Sequence, residues 1–144
     1  MNQTTTFAGT LDSLEPIRNY VAANAAEAGL DGSATYRLCL AVDEIATNIV
    51  MHGYEEAGLT GDIEVASGVV DNSFQVQLRD HGRAYDPETH QQAPSTDLDL
   101  PLEDRSIGGL GILLARDSVD ELQYASGPDG NVHRFVMKFK QGSE

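Results

Sequence analysis

Apolar residues recur at helical spacing from Leu14, where Ile17, Val21 and Ala25 continue a stripe that ends near Gly29. A longer stripe comes after the polar "DGS". Leu38, Ala41, Val42, Ile45 and Ile49 predict a second helix from about Ala34 to Tyr54. The period then shortens to two. "DIEVASGVV" and "SFQVQLRD" read as strands joined by a turn at Asp71-Asn72, and the short "TTTFAG", Thr4 to Gly9, fits an edge strand. A polar stretch from about Ala84 to Ser106 holds three prolines and many acids, and a connection of that length inside a compact domain is usually functional or mobile. Beyond it a third helix, Gly109 to about Asp117, leads to "VDELQYAS", a turn at "GPDG" and a last strand "NVHRFVMKFK". There is no internal repeat. The order is strand, two helices, then a meander interrupted by one helix. It predicts an α+β fold, a two-layer sandwich with helices on one face of a mostly antiparallel sheet. A single domain over residues 1–144 accommodates all of it.

Charge changes this picture more than composition does. At 40% hydrophobic and 22% charged, the 144 residues are those of an ordinary globular domain. The formal charge, however, is −14, from 23 acids against 9 bases. Such a field repels nucleic acid and anionic membrane, so neither is expected as a direct partner. An anion such as a nucleotide needs local compensation from a metal, backbone amides or arginine. No apolar run approaches membrane length, and "MNQTTTFAGT" lacks the basic and apolar regions of a signal peptide, which predicts a cytoplasmic protein. The single Cys39 excludes an intramolecular disulfide and lies in an apolar helical stretch, where packing is its expected role.

Three segments carry candidate chemistry. In "LAVDEIATNIVMHGY", Glu44 and Asn48 are four apart and so lie on one side of the helix, roughly 40° from each other. They could share a water or hold a hard cation such as Mg²⁺ through oxygen ligands. Spacing alone favours a plainer arrangement, a solvated face with a hydrogen bond between the two. In "QVQLRDHGRAYDP", Asp80 has the parity of Phe74, Val76 and Leu78 and therefore points to the core side as the strand ends. A carboxylate there needs a donor. It could accept from a ligand's exocyclic amine, or it could simply cap the following turn; Gly82 lets the backbone approach something closely. In "DRSIGGLGILLAR", glycines open a helix although they are poor helix formers. Amides at such a helix start favour phosphate, although no Walker lysine follows and the dinucleotide fingerprint is incomplete.

Taken in this order and spacing, the segments resemble the GHKL (histidine-kinase-like) ATPase superfamily, whose domain is the Bergerat fold. Glu44 with Asn48 looks like its N box, "DHGRAYDP" like its D-x-G-x-x-[FY]-D-P box, and "GGLGI" like the glycine box that closes the ATP lid. Within it the chain is most similar to the anti-sigma factor serine/threonine kinases of the RsbW and SpoIIAB type. "LAVDEIATNIVMHGY", "RSIGGLGILLARDSVDELQY" and the terminal "GN" strand carry that likeness over nearly the whole chain.

The resemblance implies ATP or ADP with Mg²⁺ as cofactors. It implies Glu44 as the general base toward a serine or threonine hydroxyl, and Asn48 as the Mg²⁺ ligand. Asp80 would hold the adenine amino group, with Gly82 beside the base and Asp86 closing the same box. Gly108, Gly109, Leu110 and Gly111 would serve the phosphates within a mobile lid at about residues 84–108, and Arg105 would stabilise transferred charge. The implied function is an ATP-dependent protein kinase that acts as an anti-sigma regulatory factor. Its implied substrate is a STAS-domain anti-anti-sigma protein, and it would exchange that partner for a sigma factor, working as a homodimer. The alternative is a non-catalytic nucleotide-binding module that sequesters a regulator. Two departures stand out. The late strand lacks the family's threonine at the adenine, leaving Asn131 or His133 to take its place, and the lid is acidic at Asp97, Asp99, Glu103 and Asp104.

Overall fold

In a computed structural model of the chain, the residues described are 3–84, 115 and 117–140. The elements are β1 (Gln3–Ala8), a 3-10 turn (Leu11–Ser13), α1 (Leu14–Ala28) and α2 (Gly32–Asn48). A π-helical segment (Ile49–Glu55) comes next, then β2 (Asp62–Val70), β3 (Ser73–Asp80), β4 (Glu121–Gly127) and β5 (Gly130–Lys138). The strands form one sheet in the order β1-β2-β3-β5-β4, with every neighbouring pair antiparallel. Ile17 and Val21 of α1 and Leu38, Val42 and Ile45 of α2 are buried against Ile63, Val65, Phe74, Val76, Leu78, Phe135 and Met137 of the sheet. This is the two-layer α+β sandwich that the periodicities predict.

The sheet is not a simple meander. β5 lies between β3 and β4, so the last strand in chain order is an interior one. Burial explains the placement. β5 buries Phe135, Val136 and Met137, whereas β4 is largely exposed, and an exposed polar strand suits a sheet edge. The expected edge strand near the N-terminus is β1, which pairs with β2 alone. Of the third helix only Ala115, Asp117 and Ser118 fall among the described residues; they are helical, and Ala115 is buried.

The second helix differs from its expected span at both ends. It starts at Gly32 because the Asp31 carboxylate caps it, with Oδ1 accepting from the Ala34 N–H at 2.8 Å. After Asn48 the α-helix gives way to the π-helical segment. There the Glu56 N–H donates to the Met51 carbonyl at 2.9 Å, and the Leu59 N–H to that of Tyr54 at 2.9 Å. A wider turn inserts an extra residue and re-aims the side chains around it, here those near Gly53 and Tyr54.

Tyr54 fastens that helix end to the sheet. Its ring lies so close to Gly9 and Gly61 that a Cβ at either would sit within 2.6–2.8 Å of it. Its hydroxyl donates to the Asp62 carbonyl at 2.7 Å and accepts from the His81 N–H at 3.0 Å. One phenol thus joins the start of β2 to the residue just after β3. Tyr54→Phe keeps the ring but leaves two backbone groups without a partner. Urea unfolding should show a loss of about 1–3 kcal/mol at an unchanged slope. A midpoint equal to wild type would remove Tyr54 from this role.

Candidate functional site

Alternation along β3 sends Asp80 to the helix-facing side of the sheet, where it is 2% exposed. A buried carboxylate needs donors, and it has two on one oxygen. The Gly82 N–H donates to Oδ1 at 2.9 Å, and Asn131 Nδ2 donates to the same atom at 3.0 Å. Asp80 and Asn131 are direct cross-strand partners, so the pairing of β3 with β5 itself sets this contact. Burial pushes the Asp80 carboxyl above its ordinary pKa, while the bonds from Asn131 and Gly82 and the nearby His81 pull it back part of the way. Asp80 therefore closes the turn after β3, and it also lines a pocket.

That pocket lies between α2 and the sheet. Its walls are Ile45 and Ile49, and its polar lining is Asn48, Asp80, Arg83, Asn131 and His133. Asn48 is 4% exposed, and its Nδ2 has no hydrogen-bond partner among the described residues. The bond to Glu44 that spacing favours is thus not made, and Asn48 is not on a solvated face. The unsatisfied end of this buried carboxamide is a donor, and it suits a ligand that brings an acceptor. Among the described residues no cluster of three His, Cys, Asp or Glu could hold a metal alone. A cation beside Asn48 would depend on oxygens brought by the ligand.

Glu44 stands one turn before Asn48 and is half-buried. Burial raises its carboxyl above the usual range, and the neighbouring Asp43 charge adds to the effect. A carboxylate so placed is a stronger base than an exposed one.

Gly82 permits a close approach, but to the chain itself. A Cβ there would lie 2.5 Å from the Gly53 carbonyl oxygen. The Arg83 N–H donates to that same carbonyl at 2.8 Å. The turn after β3 is thereby seated on the π-helical segment. Arg83 contributes positive charge to the pocket lining, and its guanidinium lies 3.4 Å from the Glu56 carboxylate. Glu56 in turn meets His52 Nδ1 at 2.8 Å, and the His52 bond is the main reason its pKa is lowered.

The structure thus gathers Asn48 and Asp80 at one pocket, with Gly82 bonded to Asp80 beside it and Glu44 a turn away. Asp86, Arg105, Gly108, Gly109, Leu110 and Gly111, with residues 85–108 of the expected lid, lie outside the described residues. Sequence reasoning passed over Arg83, Gly53, Tyr54 and Ser126. The run "HGY" just after the helix stripe was the available signal for two of them. Of the two late-strand candidates, Asn131 meets Asp80. His133 pairs across the strands with Leu78 and packs its ring on Tyr124, with centroids 4.9 Å apart.

The chain is similar to several known proteins. The serine-protein kinase RsbW of Bacillus licheniformis (strain ATCC 14580) is 30% identical over 108 residues, 70% of this chain and 65% of that protein. The protein of the same name from Bacillus thuringiensis (strain Al Hakam) is 29% identical over 85 residues, 58% of this chain and 52% of the relative. The matched segment thus spans between about half and two thirds of these relatives. Among solved structures, the RsbU and RsbW domains of Rv1364c from Mycobacterium tuberculosis superpose with a TM-score of 0.64 at 19% identity, over 95% of this chain and 32% of that one. The Erythrobacter litoralis EL346 blue-light activated histidine kinase gives a TM-score of 0.57 at 18% identity, over 91% of this chain and 42% of its own. At such identities the likeness is one of fold. Residues 7–137 match the family described as histidine kinase-like ATPase domain, and the chain belongs to that family.

Proposed function

We propose that this protein is an ATP-dependent serine/threonine protein kinase that acts as an anti-sigma regulatory factor. Its substrate would be a STAS-domain anti-anti-sigma protein, with a sigma factor as the alternating partner. The observation that carries the reading is the convergence of Asn48 and Asp80 on one pocket, with the half-buried Glu44 a turn away. The likeness to the RsbW serine-protein kinases supports the choice of a protein hydroxyl as acceptor.

In this reading Asp80 accepts a hydrogen bond from the adenine amino group. Asn48, which lines the pocket one helical turn after Glu44, would hold Mg²⁺ through its carboxamide oxygen. Bound Mg²⁺ supplies charge neutralisation along the phosphates. Glu44 takes the proton from the serine or threonine hydroxyl as its oxygen attacks the γ-phosphorus. The bond from that phosphorus to the bridging β–γ oxygen breaks, and ADP leaves. By their place in the glycine-rich motif, Gly108, Gly109, Leu110 and Gly111 belong with the phosphates and Arg105 with the transferred group, inside one domain spanning residues 1–144. Positive charge and amides there, with Arg83, answer the repulsion between a chain of charge −14 and a polyanion.

The test is incubation with Mg²⁺ and γ-labelled ATP, with and without a STAS-domain protein. Label should reach a serine or threonine of the partner. Glu44→Ala should lower transfer by about 10²-fold or more while leaving nucleotide affinity within about threefold. Nucleotide binding with no transfer to any such partner would favour the sequestering module instead. Because the active Glu44 is the deprotonated one and its pKa is raised, the transfer rate should climb with pH through that raised value and level off above it.

Asp80→Asn separates function from stability. Asparagine keeps an acceptor for Gly82 and Asn131 but removes the buried charge. A carboxyl with a raised folded-state pKa contributes stability below its ordinary value and loses it as pH rises through the folded value. Asp80→Asn should therefore unfold later than wild type at neutral pH, by on the order of 1 kcal/mol, with the gap closing in acid. It should also weaken ADP at least about tenfold. Equal stability at neutral pH would refute the account of a strained carboxylate.

A further inference from the structure

Asn131 uses every polar atom of its side chain on the protein. Nδ2 donates to Asp80 Oδ1 and to the Gly82 carbonyl, each at 3.0 Å, and Oδ1 accepts from the Ser126 hydroxyl at 2.6 Å. The amide orientation is set by its partners. A carboxylate and a carbonyl can only accept, so the nitrogen must face them. With both N–H groups spent, Asn131 has none to offer a base. Asp80 is divided differently. Its Oδ1 takes two donors, and Oδ2 takes none among the described residues.

We propose that Asn131, oriented by Ser126, is a positioning residue that sets base discrimination in the pocket. It fixes the Asp80 carboxylate in one rotation, as an acceptor whose second oxygen is left to the ligand. An acceptor held so takes the 6-amino edge of a purine and repels a 6-oxo edge. The inference rests on the nucleotide reading given above, and it gives Asn131 an indirect role, through Asp80 and Gly82 rather than by touching the base. His133 lines the same pocket but lies two residues further along β5, across from Leu78 rather than Asp80. The bond from Ser126 also crosses the β4–β5 hairpin, so the outermost strand helps to aim a side chain on β3.

The experiment compares ADP with inosine diphosphate by calorimetry, with Mg²⁺, for the full chain, for Asn131→Leu and for Ser126→Ala. It also tracks the Asp80 carboxyl titration by carbon NMR without nucleotide. Wild type should prefer ADP by about tenfold or more. Asn131→Leu should bring that ratio to within about threefold, because the carboxyl is no longer held as an acceptor and can protonate and donate to a 6-oxo group. In the free protein its Asp80 titration should move upward, since the lost bond favoured the charged form, while His81 and Arg83 beside it are unchanged. Ser126→Ala should shift both readouts the same way by a smaller amount, and it carries the comparison if Asn131→Leu does not fold. Equal weakening of both nucleotides with an unmoved Asp80 titration would overturn the proposal by reducing Asn131 to a structural part. If wild type binds neither nucleotide, the nucleotide reading itself fails. The titration in the free protein then still decides whether Asn131 governs the carboxylate.

Discussion

A carboxylate buried between a sheet and a helix is the constraint on which this structure turns. Asp80 is as inaccessible as the apolar side chains beside it, and a charge in that position persists only where donors are held in place. Those donors come from different parts of the chain. Gly82 supplies one because the turn after β3 folds back, and Asn131 supplies the other because β5 pairs with β3 in one register. A slip of one residue between these strands would move Asn131 to the opposite face and leave the charge half-served. The register of the sheet and the chemistry of the pocket are therefore a single requirement. The raised pKa of Asp80 shows that the donors offset its desolvation only in part.

The helix side of the pocket meets the same requirement through the backbone. Asn48 closes the regular part of α2, and the π-helical segment then swings Gly53 onto Gly82 and Tyr54 onto the strand ends. Two glycines in contact allow a separation that no side chain would. The Arg83 N–H bonded to the Gly53 carbonyl fixes it. Asn48 and Asp80 are thereby held at one pocket, although about thirty residues of chain lie between them.

Much of this was legible in the sequence. The apolar stripes of α1 and α2 and the alternation in β2 and β3 are strong because each element is buried on one face only, and parity alone sent Asp80 inward. Spacing could not say that Asn48 is buried or that its bond to Glu44 is absent, because both depend on the sheet packing over that turn of the helix. The π-helical segment was equally hidden. Its Tyr54 meets Gly9, Gly61, Asp62 and His81, and of these Gly9 and His81 are far from it in sequence. Parity grouped Asn131 with His133, but only the register with β3 separates them. The meander reading failed for a related reason. Local pattern identifies strands, whereas their order depends on which strand has most to bury.

The interior position of β5 also bears on how the protein is made. β1, β2 and β3 leave the ribosome long before the strand that belongs beside β3. Until residues 130–138 emerge, β3 has an open edge of unpaired amides and carbonyls, and Phe74, Val76 and Leu78 are only partly covered. Until then Asp80 lacks its donor from Asn131. Its charge is desolvated only when β5 inserts and brings Asn131 with it, so closure of the sheet and assembly of the pocket are one late event. A nascent chain stalled before β5 would expose a sticky strand and carry no binding site, which makes it a natural client for chaperones and proteases.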